Sequence, residues 1–160
     1  MSPLNLTDLY EQDFYRWLTE TSKYLNEGNF EAIDTAHLIE ELNDLGNSSK
    51  AALESNLAVL IAHLLKLTVQ ADAPDTMKNS WYNSIDEHRQ RVQKQLKKNP
   101  SLKSYWATAL AEAYGDARKL AIKEGQRAKF GVPLHGASDY PQQCPFSQDQ
   151  ILDDDFYGGF

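Results

Sequence analysis

The sequence predicts an all-α protein, and three observations carry that prediction. Apolar residues recur at three- and four-residue steps over long stretches. Capping residues, Gly and Pro punctuate those stretches where helices would start and stop. No stretch shows the period-two alternation of a half-buried strand. The expected architecture is a five-helix, largely up-and-down bundle with an irregular Pro-rich C-terminal tail packed over it. Residues 1–129 would form the bundle and 130–160 the tail, in a single domain overall. At 160 residues the chain can bury a core without metal or disulfide help.

The first helix is expected from about Thr7 to Asn26. Asp8 and Glu11 stand at capping-box spacing, Tyr10, Phe14, Trp17, Leu18, Thr21 and Leu25 share a stripe, and Gly28 follows the end. The second starts with Asp34 as N-cap and stops at Gly46, with Leu38, Leu42 and Leu45 as its buried stripe. The third runs from Ser48 or Ser49 to about Gln70 and is apolar nearly all round, the mark of a central helix. Its longest apolar run, Leu57 to Val69, is interrupted by His63 and Lys66 and is too short to span a bilayer.

After Ala73-Pro74-Asp75 a fourth helix is expected from about Asn79 to Lys98, on the stripe Trp81, Ile85, Val92 and Leu96. Asn99-Pro100 supplies an N-cap with Pro at the first helical position. The fifth helix follows to about Glu124, burying Leu102, Tyr105, Trp106, Ala109, Leu110, Ala113, Ala117 and Leu120. From Gly125 onward Gly131, Pro133, Gly136, Pro141 and Pro145 mark irregular chain, and SQDQILDDDF permits a short final helical turn.

Charge is segregated in blocks. Residues 78–129 hold 12 of the 16 bases against five acids, a net of +7, inside a chain of net charge −7. Such a block raises nucleic acid or an acidic partner as a binding target. At about 100° per residue, however, Trp81, Ile85, Val92 and Leu96 fall within roughly 60° of one another. Arg91, Lys94, Lys97 and Lys98 fall opposite, where a solvated helix face puts its charge. Trp81 and Trp106 sit on apolar stripes rather than among the bases, and the molecule is acidic overall, with a pI near 5.0. Nucleic-acid binding by residues 78–129 therefore ranks behind a protein-docking role for that face.

Polar residues on apolar faces are the sharper candidates. Glu41 flanks Leu45, His63 falls between Val59 and Leu67, His88 and Arg89 flank the fourth stripe, and Asp116 falls within the apolar arc of the fifth helix. Such groups need partners when buried. The leading expectation is an interior polar network in which Asp116 or Glu41 pairs with Arg89 or His63. The alternative is a metal site built from Glu41, His63, His88 and Asp116. The Glu-x-x-His pairs of di-metal bundles are missing, since Leu60 and Ile85 stand three residues before His63 and His88. His-x-x-x-His and His-Glu-x-x-His are missing too.

No cofactor is predicted beyond that possible metal ion. A single cysteine, Cys144, excludes an internal disulfide and multi-cysteine zinc patterns. As a nucleophile it would need an approaching histidine, for which His135 in the same loop is a weak coincidence, and Pro141, Cys144, Pro145, Phe146 and Ile151 better suit a tail lashed over the bundle. Neither a Gly-rich phosphate loop nor a nucleophile-elbow serine is present.

Five ordered segments carry a family resemblance: LYEQDFYRWL (Leu9–Leu18), LIEELNDLGNSSKAALESNLAVLIAHLLK (Leu38–Lys66), SWYNSIDEHRQRV (Ser80–Val92), NPSLKSYWATALAEAYGDARKLA (Asn99–Ala121) and YPQQCPFSQDQILDDDF (Tyr140–Phe156). Over about residues 8 to 156 the chain resembles domain-of-unknown-function family twenty-nine, small helical proteins found largely in cyanobacteria. The resemblance implies an all-α fold, a cytoplasmic bacterial setting and no established activity. Positions that match the family pattern include Glu41, His63, Trp81, Arg89, Pro100, Asp116, Arg118, Cys144 and Pro145. Together these readings favour a small interaction or regulatory module that binds another protein or itself. A metal-dependent enzyme is the alternative and nucleic-acid binding the third reading.

Overall fold

A computed structural model describes residues 4–127 and 135–160. The expected boundary between bundle and tail at 129/130, with Lys129, Gly131 and Pro133, lies outside the described residues. Those residues hold six α-helices and no strand: α1 (Leu6–Gln12), α2 (Phe14–Glu27), α3 (Thr35–Val69), α4 (Asp75–Lys98), α5 (Trp106–Arg127) and α6 (Gln148–Leu152). The all-α class is as the sequence predicts. The chain divides into two compact units, Met1–Ser49 and Lys50–Phe160.

In the first unit the expected single helix is two. Asn5, not Asp8, caps α1, its side chain accepting the Thr7 N–H at 3.0 Å. At Asp13 the backbone leaves helical geometry (φ −153°, ψ 83°), and its carboxylate accepts the Arg16 N–H to start α2. The Asp13 N–H still bonds Leu9 O at 2.8 Å, so the interruption costs few hydrogen bonds. Gly28 ends α2 in the left-handed region at φ 72°, as its position implied. A small core forms around Trp17, which is fully buried with Leu6 and Leu9 and flanked by Tyr10, Tyr24 and Leu38.

The two helices expected over Asp34–Gly46 and Ser48–Gln70 are one. Gly46 lacks the positive φ that ends a helix. A glycine inside a helix costs only about 1 kcal/mol, which the turns on either side outweigh. The continuous α3 is, by length and composition, long and apolar enough to cross a membrane, whereas the apolar run Leu57–Val69 taken alone is too short. Its C-terminal half is core: Leu53, Leu57, Leu60, Ile61, Leu64 and Leu65 are completely buried.

The second unit packs that half of α3 with α4 and α5. Trp81, Ile85, Val92 and Leu96 on α4 are buried as expected, and Ala109, Ala113, Ala117 and Ala121 give α5 a small-residue seam. Asn99-Pro100 opens a 3-10 segment, Pro100–Tyr105, before α5 begins at Trp106. The irregular tail packs over the bundle, as anticipated. Tyr140, Phe146 and Ile151 are buried in the same core. Ser147 and Gln150 form a reciprocal capping box that closes the single turn of α6.

Candidate functional site

His63 and Lys66 on α3 and Gln70, the residue just past its end, stand three and four residues apart, which stacks them on one face. They meet Met77, Ser80 and Trp81 of α4 and Glu124 and Arg127 of α5 around a pocket of roughly 360 Å³. Lys66 is only 4% exposed. Its ammonium pairs with the carboxylate of Glu124, itself 40% exposed, and lies 5.3 Å from the centroid of the Trp81 ring. That is a desolvated cation held by one carboxylate and one π face.

His63 donates Nδ1–H to Val59 O at 2.8 Å. Burial first, and the charge of Lys66 after it, push its pKa below the usual imidazole range. The ring is therefore neutral at pH 7, with its lone pair on Nε2. Gln70 is buried and donates to the Tyr140 hydroxyl at 2.8 Å. Gly125 makes that contact possible, since a Cβ there would stand 2.8 Å from both Gln70 Nε2 and the Tyr140 oxygen.

Arg89 works differently. It is 1% exposed, and its guanidinium donates to three tail carbonyls, Ile151 O at 2.8 Å, Phe156 O at 2.5 Å and Asp154 O at 3.5 Å. Gln93 adds bonds to Leu152 O and the Asp154 carboxylate, and Tyr157 donates to Asp86. Arg118 straps the start of the tail in the same manner, bonding the carbonyls of Ala137, Tyr140 and Pro141. Gly158 (φ 98°) completes the closure, because a Cβ there would meet Thr68 Oγ1 at 2.5 Å and Leu64 O at 2.9 Å. The buried Arg89 and the half-buried Arg118 guanidinium groups are thus satisfied by backbone rather than by carboxylates.

A family model described as a domain of unknown function, DUF29, matches residues 9–157. The chain belongs to the DUF29 family. No curated protein and no solved structure matches it.

The interior residues anticipated in this DUF29 chain do not form the expected network. Glu41 accepts from the Tyr10 hydroxyl at 2.6 Å, within the first unit. Arg89 bonds the tail, and His63 bonds its own helix. Asp116 is exposed; one position before the buried Ala117, it stands about 100° round the helix from that residue. His88 donates Nδ1–H to Ser84 O at 2.8 Å. The Ser84 hydroxyl, 3.3 Å from His88 and 3.5 Å from His63, lies between the two rings. Among the described residues no group of three or more His, Cys, Asp or Glu side chains is placed to share a metal ion. Arg91, Lys94, Lys97 and Lys98 are all exposed, with Arg91 paired to Glu87 one turn away. Cys144 is half-buried, and burial pushes its thiol pKa up, away from a nucleophilic thiolate.

Lys66, Glu124 and Gln70 were not picked out as site residues in the DUF29 sequence, and Arg118 entered only through the family pattern. Lys66 registered only as an interruption of an apolar run. Its signal was the spacing His63, Lys66, Gln70, which lines polar groups along one stripe of a helix otherwise meant for the core.

Proposed function

We propose that this DUF29 chain is a protein-interaction module whose first unit docks a basic amphipathic helix of a partner protein. One observation carries the proposal: the apolar stripe of α3 expected to be buried is open. Leu42 is 58% and Leu45 65% exposed, and Ile39 beside them is 54% exposed. In the same unit Leu18 and Leu25 stand exposed on α2, and Phe30 in the turn between the helices. Clustered apolar exposure on this scale marks interaction surfaces.

Charge selects the partner. Residues 1–49 hold two bases against ten acids, a net of −8. Two copies of this unit placed face to face would repel, whereas a helix with leucines on one side and lysines at its flanks satisfies both the apolar stripe and the surrounding carboxylates.

The test uses the full chain and a synthetic amphipathic Leu/Lys helix, with an equally hydrophobic Leu/Glu helix as control. Binding of the Leu/Lys helix is expected to shift the amide resonances of Ile39, Leu42 and Leu45 and to weaken as salt rises. The double substitution Leu42→Ser, Leu45→Ser, at exposed positions, is expected to weaken it by about tenfold or more. Equal affinity for the acidic helix, or indifference to the double substitution, would overturn the proposal. Sedimentation showing a dimer that the same substitutions dissolve would give the surface to a second copy instead.

A further inference from the structure

Lys66 is a costly residue to seal inside a helical bundle, where a leucine or methionine would fill the same space without a charge. Its ammonium has three N–H donors, yet Glu124 is its one carboxylate partner among the described residues. Beside it His63 Nε2 carries no hydrogen bond from any described residue, and Nδ1 is already committed to Val59 O. Arg127 stands exposed at the margin of the same pocket, while Trp81 and Met77 supply apolar wall. A volume of roughly 360 Å³ lies within the ordinary range for small-molecule sites.

We propose that this pocket binds a small α-amino acid, its carboxylate on Lys66 and Arg127 and its ammonium on Glu124 and His63 Nε2. The built-in ion pair is what selects a zwitterion. A simple anion drawn to Lys66 meets the Glu124 carboxylate already there, and a simple cation drawn to Glu124 meets Lys66. A ligand carrying both charges on adjacent carbons sets an opposed ion pair against the resident one, so each charge gains a partner without losing another. The neutral imidazole adds an acceptor for an ammonium proton, and the Trp81 and Met77 wall takes an aliphatic side chain. This site lies wholly within Lys50–Phe160 and is independent of the helix-docking surface.

The experiment is calorimetry on the full chain, paired with nitrogen NMR of the His63 ring. L-leucine, L-methionine and L-glutamine serve as probes, and 4-methylpentanoate and 3-methylbutylamine as the leucine analogues lacking one charge each. At least one amino acid is expected to bind and move the His63 Nε2 resonance. Where leucine binds, each one-charge analogue is expected to be about tenfold weaker or more, the scale of a lost charged hydrogen bond. Glu124→Gln keeps the shape of a half-exposed side chain but takes the carboxylate from Lys66, so circular dichroism and thermal unfolding first check that it is folded; it should weaken the amino acid by a similar factor while improving 4-methylpentanoate. Lys66→Met should abolish both. The proposal is overturned if none of the three amino acids gives heat or a His63 shift at millimolar concentration. It also fails if 4-methylpentanoate binds as tightly as leucine, or if Glu124→Gln binds the amino acid unchanged.

Discussion

The two units of this DUF29 chain solve the same problem with unequal means. Lys50–Phe160 closes a core around complete leucines, tryptophans and a small-residue seam, then straps an irregular tail over it with two arginines. Met1–Ser49 gathers two buried leucines, Leu6 and Leu9, around Trp17 and leaves far more of its large apolar side chains in water. Their charges differ as sharply, −8 against +1. The first unit leaves Ile39, Leu42 and Leu45 in water, whereas the closed unit holds a pocket beside the buried Lys66.

The sharpest way to break the contrast is to unlatch the closed unit. Arg89→Met removes a buried cation that three tail carbonyls depend on, and a thioether satisfies none of them. Leaving buried carbonyls unpaired, together with losing charged hydrogen bonds, should cost roughly 3 kcal/mol. Urea unfolding reads the cost, and hydrogen exchange should localise it to Ile151 through Gly159. An unchanged midpoint with a protected tail would mean that apolar burial of Phe146 and Ile151 holds the tail unaided.

A smaller effect of opposite sign tests the helix that runs from one unit into the other. Gly46 lies inside α3, and a Cβ there meets nothing within 4 Å. Gly46→Ala should therefore stabilise by about 1 kcal/mol, the helix-propensity difference. A loss of stability instead would show that the helix breaks at Gly46 in solution.

Gly46 also shows where the sequence stopped being informative. The all-α class, the α4 stripe and the Gly28 end were legible because periodicity and left-handed caps are local properties. Whether a glycine terminates a helix depends on its φ, which Gly28 and Gly46 do not share. The break at Asp13 escaped notice because the same residue types suit an unbroken helix and a restarted one. Leu38, Leu42 and Leu45 were rightly seen as one apolar stripe, but periodicity says which face is apolar and never what covers it. For the pocket the obstacle was distance along the chain. Lys66 and Glu124 are separated by most of α4 and α5, so no spacing rule could join them. Asp116 failed for a simpler reason, since its arc was bounded at Tyr105, which lies in the 3-10 segment before α5 and not on that helix.

The finest comparison is between two histidines whose shifts oppose each other. In the first unit the Asp34 side chain, 2.5 Å from His37 Nδ1, raises that imidazole above its usual pKa, against the effect of burial. In the second unit burial lowers His63. For His37 the folded state holds its proton more tightly than the unfolded chain. Its contribution is therefore fully present below the unfolded pKa and fades as pH rises through the raised value. For His63 the folded state refuses the proton, so stability is intact above the unfolded value of about 6.5 and falls as pH drops below it. Acidification from neutrality should thus tighten the Asp34–His37 contact while loosening the second unit around its pocket. Ring titrations by NMR should give two midpoints on opposite sides of the free-imidazole value, with hydrogen-exchange protection near Val59 and His63 declining first on the acid side. A His63 midpoint at or above the free value would place that ring in water, and the sheltered pocket would lose its neutral acceptor.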